Sequence, residues 1–122
     1  MSHIVQVATE VRDPVAIEAA TDRLKLLKPI HGSFEMFTGQ TKGWGVRLPR
    51  WRFPVVFDVE SGQARFDNFE GHWGDPAELD RFLQCYAVEK AKIEARRAGH
   101  AVTEQPLADG SIKLTVQIGG AA

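Results

Sequence analysis

The sequence predicts an α+β fold: a mainly antiparallel sheet with two helices packed on one face, in the order β-α-β-β-β-β-α-β-β. Three observations carry this reading. Segments with an apolar residue at every second position recur at the start, middle and end of the chain; two Asp-Pro steps each open a stretch with apolar spacings of three and four; glycines punctuate the alternating segments. A length of 122 residues fits one domain, expected over 1–118 with 119–122 as a flexible tail. A chain this long buries enough surface for a core without metal or disulfide staples.

Residues Ile4 to Val11 alternate, with Val5, Val7, Thr9 and Val11 on one side, the period of a half-buried strand. Asp13-Pro14 then supplies an N-cap carboxylate and a ring that presets the first helical turn. Ile17, Ala20, Thr21, Leu24 and Leu27 continue the stripe, so a helix is expected from Pro14 to Leu27, stopped by Pro29. From Ile30 to Phe69 four strand-like runs follow, with Phe34 and Met36, then Trp44, Val46 and Leu48, then Phe53, Val55, Phe57 and Val59 each sharing a side. Ser61-Gly62 favours a hairpin into Ala64 to Phe69, and the glycines from Gly39 to Gly45 suggest a turn or bulge.

Asp75-Pro76-x-Glu78 is the strongest local signal: a cap, a first-turn proline and an acid placed to close a capping box. Leu79, Phe82, Leu83, Tyr86, Lys90 and Ile93 form the apolar stripe of a helix running to Ala98, with Arg96 and Arg97 on its negative end and Gly99 as its terminator. Ala101 to Gln105 and Ile112 to Ile118 flank Leu107-Ala108-Asp109-Gly110-Ser111 as a second hairpin. The expected core is Val5, Val7, Ile17, Leu24, Phe57, Val59, Leu79, Phe82, Leu83, Tyr86, Ile93, Leu114 and Val116.

Charge and cysteine usage exclude several classes. With 15 Lys+Arg against 16 Asp+Glu and a pI near 6.4, the molecule as a whole has no field that draws nucleic acid. The single Cys85 forbids an intrachain disulfide. The longest apolar run, Phe53 to Phe57, is far short of a bilayer span, and the N-terminus has no charged-then-apolar leader, so a cytoplasmic location is expected and no membrane partner.

Templates for chemistry fail one by one. His3, His31, His72 and His100 lack the spacing of a zinc site, and Cys85 has no CxxC partner and sits beside a core stripe. Gly39-Gln40-Thr41-Lys42-Gly43-Trp44-Gly45 is not a phosphate loop, because Lys precedes Gly and a strand follows where the dipole of a helix is needed. No catalytic, cofactor-binding or metal-ligating residue is therefore assigned. An enzyme whose site is assembled from Glu70, His72 and Glu89 stays as a competing class.

Two neighbouring segments have opposite charge. Lys42, Arg47, Arg50 and Arg52 stand without an acid and are interleaved with Trp44 and Trp51; Phe53 to Asp80 carries seven acids against Arg65 alone. Arginines among aromatics can hold phosphates and stack bases. The competing structural role has these arginines paired with Asp58, Glu60 or Asp67 and Trp51 buried, and it ranks higher because the acidic neighbour is closer than any ligand.

Several fragments together resemble the hypothetical chloroplast reading frame 35 family of plastids, cyanobacteria and other bacteria. They are Met1-Ser2-His3, Arg12-Asp13, Gly39-Gln40-Thr41, Trp73-Gly74, Tyr86-Ala87 with Lys90, and Asp109-Gly110-Ser111-Ile112-Lys113-Leu114. Arg47 to Arg52 and Asp67 to His72 depart from the plastid pattern. The resemblance supplies no catalytic residue, since the family has no established activity, and implies an accessory role beside an AAA-type ATPase. The expectation for function is a non-enzymatic protein-binding or adaptor module without cofactors, its candidate surface formed by Arg47, Arg50, Trp51, Arg52, His72 and Trp73. Nucleic acid or another polyanion bound at Arg47–Arg52 ranks second as partner. Self-pairing of an exposed edge strand into a homodimer is physically easy.

Overall fold

The computed structural model describes residues 5–7 and 10–118, with side chains from Glu10 onward. Of the expected first strand, Glu10 and Val11 lie beyond its observed end, while Ile4, Ala8 and Thr9, the core roles of Val5 and Val7, the Met1-Ser2-His3 fragment and the 119–122 tail lie outside the described residues and side chains. The elements follow the expected order: β1 (Val5–Val7), α1 (Pro14–Arg23), β2 (Ile30–Met36), β3 (Gly39–Val46), β4 (Val55–Asp58), β5 (Gln63–Phe66), α2 (Pro76–Arg97), β6 (Ala101–Pro106) and β7 (Ile112–Gln117). They form an α+β fold. The described residues divide into two compact units, with the boundary between Tyr86 and Ala87, inside α2.

In the first unit β2 to β5 run as a meander and β1 adds beside β5, giving an antiparallel five-stranded sheet in the order β1-β5-β4-β3-β2. Register puts Trp44, Phe57 and Ala64 in one row on the face that carries the helices. There the Phe57 ring stacks on Phe82 of α2, with centroids 5.4 Å apart and both side chains fully buried. The Tyr86 hydroxyl oxygen accepts the backbone N–H groups of Arg12 and Asp13, each at 3.1 Å, and so ties α2 to the start of α1.

Both helix starts form as their sequences dictate. The Asp13 carboxylate accepts from Val15 N at 2.9 Å and the Asp75 carboxylate from Ala77 N at 3.0 Å, each with a proline in the first turn. Glu78, expected to close a capping box, instead lies 4.0 Å from Arg50. α1 ends four residues earlier than its stripe suggests. Lys28 precedes Pro29 and so disfavours helix, and the chain closes with Lys25 in the left-handed region and Leu26 N donating back to Thr21 O at 2.8 Å. α2 ends at Arg97 by the same closure, with Gly99 at φ 80° and His100 N donating to Ala95 O at 2.8 Å.

The segment Gly39 to Gly45 is strand β3 itself; the turn is the preceding pair Phe37-Thr38, which joins Met36 to Gly39. Its glycines let strands approach. A Cβ at Gly43 would run into the Phe57 carbonyl oxygen, and one at Gly45 into the Phe34 ring. Phe34 pairs with Thr41, four residues from Gly45, a span of about 13 Å along a straight strand. A phenylalanine does not reach that far, so the β2–β3 ribbon curls toward the face opposite the helices. Val56, which points to that face, is only 1% exposed. Leu24, Val59 and Leu83, expected in the core, are half-buried, and the core takes in Val11, Val46, Val55, Val56 and Trp51.

The second unit holds the C-terminal half of α2 and the β6–β7 hairpin, a separate two-stranded sheet. Lys92 Nζ meets Glu104 at 2.6 Å and Glu89 at 3.7 Å. The expected core residues here are not enclosed: Ile93 and Leu114 are half-buried and Val116 is 41% exposed. One hairpin beside one helical segment has too little apolar surface to cover its own side chains.

Candidate functional site

The loop from Leu48 to Pro54 and the loop from Asp67 to Asp75 are joined edge to edge. Arg52 N donates to Trp73 O at 2.8 Å and the Trp51 indole N–H to Asp75 O at 3.1 Å, while Asn68 Nδ2 donates to Gly74 O at 3.4 Å and closes the second loop on itself. Trp51 is the inward member, 8% exposed, edge-on to Phe66 and lying against Gly74. It supports the fold rather than offering a surface.

Above this seam stands a cluster of aromatic rings around Trp73. Its indole lies 4.9 Å from Phe69, 5.2 Å from Phe37 and 5.7 Å from Phe53, measured between centroids. The Arg52 guanidinium sits 4.8 Å from the Trp73 ring centroid and 5.7 Å from that of Phe53, within cation–π range. His72 packs on Phe69 at 5.0 Å. Phe37 is 57% exposed, Arg52 and His72 are exposed, and Trp73, Phe53 and Phe69 are half-buried.

Local backbone geometry fixes the platform. Phe69, Glu70 and Gly71 have φ of 46°, 53° and 94°, a left-handed run that two non-glycine residues adopt only when their surroundings enforce it. The bonds that enforce it are Gly71 N and Trp73 N to Asn68 O, at 3.0 and 2.9 Å, and His72 N to Phe69 O at 3.0 Å. Trp73 is thereby presented by a short, closed turn.

The structure thus brings Arg52, His72 and Trp73 together. Arg50, also left-handed at φ 62°, projects with its side chain 85% exposed and lies 4.0 Å from Glu78; Arg47 is exposed beyond the end of β3. The arginines do not pair with Asp58, Glu60 or Asp67. Asp67 is fully buried with neither carboxylate oxygen hydrogen-bonded among the described residues. Of the residues weighed for an enzymatic site, Glu89 faces Lys92 in the second unit, while Glu70 and His72 belong to the Trp73 turn. Phe37, Phe53 and Phe69 complete the platform and were not expected in it. The detectable signal was Phe37 itself, a large aromatic in a two-residue turn where small polar residues are the rule.

A second concavity, about 270 Å³, lies on the helix-bearing face between Lys42 and Trp44 on one side and Asp58 and Glu60 on the other. Its mixed charges include no nucleophile beside a base. Among the described residues no group of three or more His, Cys, Asp or Glu is placed to hold a metal, and no helix is long and apolar enough to cross a membrane. Comparison of the chain with protein-family models, with curated proteins and with solved structures gave no match.

Proposed function

We propose that the protein is a non-enzymatic binding module that presents the Trp73 platform to a partner protein. The observation that carries this reading is the pairing of Arg52 with Trp73 on a surface shared with the exposed Phe37. Tryptophan and arginine are the residue types that dominate binding energy at protein interfaces. The left-handed turn holds Trp73 in place before binding, so little ordering entropy opposes association. Arg50 and Arg52 favour a partner segment that sets an acidic residue beside an apolar anchor. The family resemblance nominates an AAA-type ATPase as that partner.

The test is quantitative affinity capture from native lysate with the wild-type chain, Trp73→Ala and Arg52→Ala. The expected result is a stoichiometric protein recovered with the wild type and lost with both variants, their circular dichroism unchanged. A partner retained by both variants overturns the platform. One observation favours a second reading: exposed arginines beside an exposed ring also suit single-stranded nucleic acid. Micromolar, salt-sensitive binding of labelled RNA or DNA, lost in Arg52→Ala, would put that reading first.

A further inference from the structure

Strand β2 is an edge of the five-stranded sheet and pairs with β3 through seven residues in unbroken register, without a bulge. A long regular edge exposes a row of unpaired backbone donors and acceptors. Natural proteins blunt such edges with proline, lysine or a bulge, and Ile30–Met36 has none of these. What it has is a sequence complementary to itself. Laid antiparallel on a second copy about Ser33, Ile30 faces Met36, His31 faces Glu35, Gly32 faces Phe34, and Ser33 faces its own equivalent. Opposed residues in an antiparallel pair share a face, which restricts a symmetric pairing to even shifts. Of those, the one centred on Ser33 engages all seven residues.

Both faces of that pairing are compatible with it. On the helix-bearing face His31 and Glu35 are exposed, and His31 is steadied by the Trp44 ring 5.1 Å away. Symmetry gives two His31–Glu35 contacts per pair of copies. Lys42, opposite Ser33 on β3, lies on this face between them and adds a cation near both carboxylates. On the other face a Cβ at Gly32 would meet nothing within 4 Å, and Phe34 of the second copy, opposite it in register, has its ring turned inward over its own Gly45, so nothing crowds the seam there. Ile30, 65% exposed, is covered by the end of the second strand at Met36, whose own side chain is already buried in its chain. A two-fold axis perpendicular to the sheet keeps the curl of both strands on the same side, so the curvature of the ribbon does not oppose the pairing.

We propose that β2 pairs antiparallel with β2 of a second copy of this chain, centred on Ser33, to join two sheets into one. The pairing uses backbone and side chains of Ile30–Met36 and does not depend on the Trp73 platform, which begins at the next residue, Phe37. The test is the mass of the full chain by light scattering and sedimentation across a concentration series, for variants whose far-ultraviolet dichroism matches the wild type. The wild type should be a dimer. Glu35→Lys should raise the dissociation constant about tenfold or more by removing the acceptor that faces His31 and adding a cation to the face that already carries Lys42, and adding His31→Glu should restore it. Ser33→Cys should cross-link under mild oxidation, since directly opposed strand residues have the Cα separation a disulfide needs, while buried Cys85 does not compete. A monomeric mass at every concentration overturns the pairing. A dimer indifferent to Glu35→Lys, or one that Ser33→Cys does not cross-link, places the contact elsewhere and overturns it equally.

Discussion

The indole of Trp51 packs directly on the backbone of Gly74, so closely that a Cβ on Gly74 would run into the ring. The same tryptophan donates to the carbonyl of Asp75, the residue that caps α2. One buried side chain therefore connects three things: the arginine loop, the turn that presents Trp73, and the start of the long helix. The platform is the exposed side of a seam whose buried side is Trp51.

The first consequence concerns Gly74→Ala. A methyl group at this position displaces the Trp51 indole from a packed site, and overpacking of this kind costs about 1–3 kcal/mol. The urea denaturation midpoint should fall accordingly. The smaller Trp51→Phe in the same chain should recover part of the loss, because it vacates the space the methyl group needs. A Gly74→Ala midpoint equal to the wild type would show that the loop yields freely and that the seam is not rigid.

Tyr86 offers a cleaner measurement. Its hydroxyl oxygen accepts two backbone N–H groups, those of Arg12 and Asp13, and Tyr86 itself is 4% exposed. Tyr86→Phe keeps the ring packing and removes the hydroxyl that accepts from the buried Asp13 N–H, which costs about 1–3 kcal/mol. Amide exchange should accelerate at Arg12 and Asp13 in this variant. Unchanged exchange at both amides would mean that water replaces the hydroxyl without penalty.

Asp75→Ala removes the carboxylate that accepts from Ala77 N and should lower stability by about 1 kcal/mol. Asp75→Asn retains an acceptor oxygen and should lose only a fraction of that. Chemical denaturation of the two variants together separates capping from charge. Equal losses would assign the effect to the charge at the helix N-terminus, and no loss in either would remove the cap from the account.

Both helix starts, the order of elements and the two hairpins were legible because each rests on residues adjacent in sequence: Asp-Pro steps, Ser61-Gly62, Asp109-Gly110. Core membership was less legible in two places. Val56 alternates out of phase with Phe57, yet is buried because the β2–β3 ribbon curls, and that curl depends on Phe34 reaching Gly45, a contact no local period encodes. Val116 alternates in phase but stays exposed, because the hairpin is a sheet of its own. The platform was half legible. His72-Trp73 and the arginines stood out by type, whereas Phe37, Phe53 and Phe69 join them only through the joining of two loops and a left-handed turn. Neighbouring charge misled: the arginines were expected to meet the acids nearest in sequence, but Arg52 lies on Trp73, Arg50 reaches Glu78, and Asp67 is buried without a hydrogen bond among the described residues.

The turn of the β6–β7 hairpin supplies a pH-dependent test. The Ser111 hydroxyl donates to Asp109 Oδ1 at 2.5 Å and Ser111 N donates to the same oxygen at 3.0 Å. These two donors, the hydroxyl first, hold the Asp109 carboxyl below its ordinary value of 3.8. Because the folded value is depressed, the contribution of this turn is complete above pH 3.8 and is lost as the pH falls through the folded value, which lies lower. The carboxyl resonance of Asp109, followed by NMR, should titrate with a midpoint under 3.8 in the wild type and closer to 3.8 in Ser111→Ala, which removes the hydroxyl and keeps the N–H. The Ser111 amide shift should follow the same titration, since its acceptor is the group being protonated. An identical midpoint in the two proteins would show that the hydroxyl does not hold the carboxylate and that the N–H alone sets the turn.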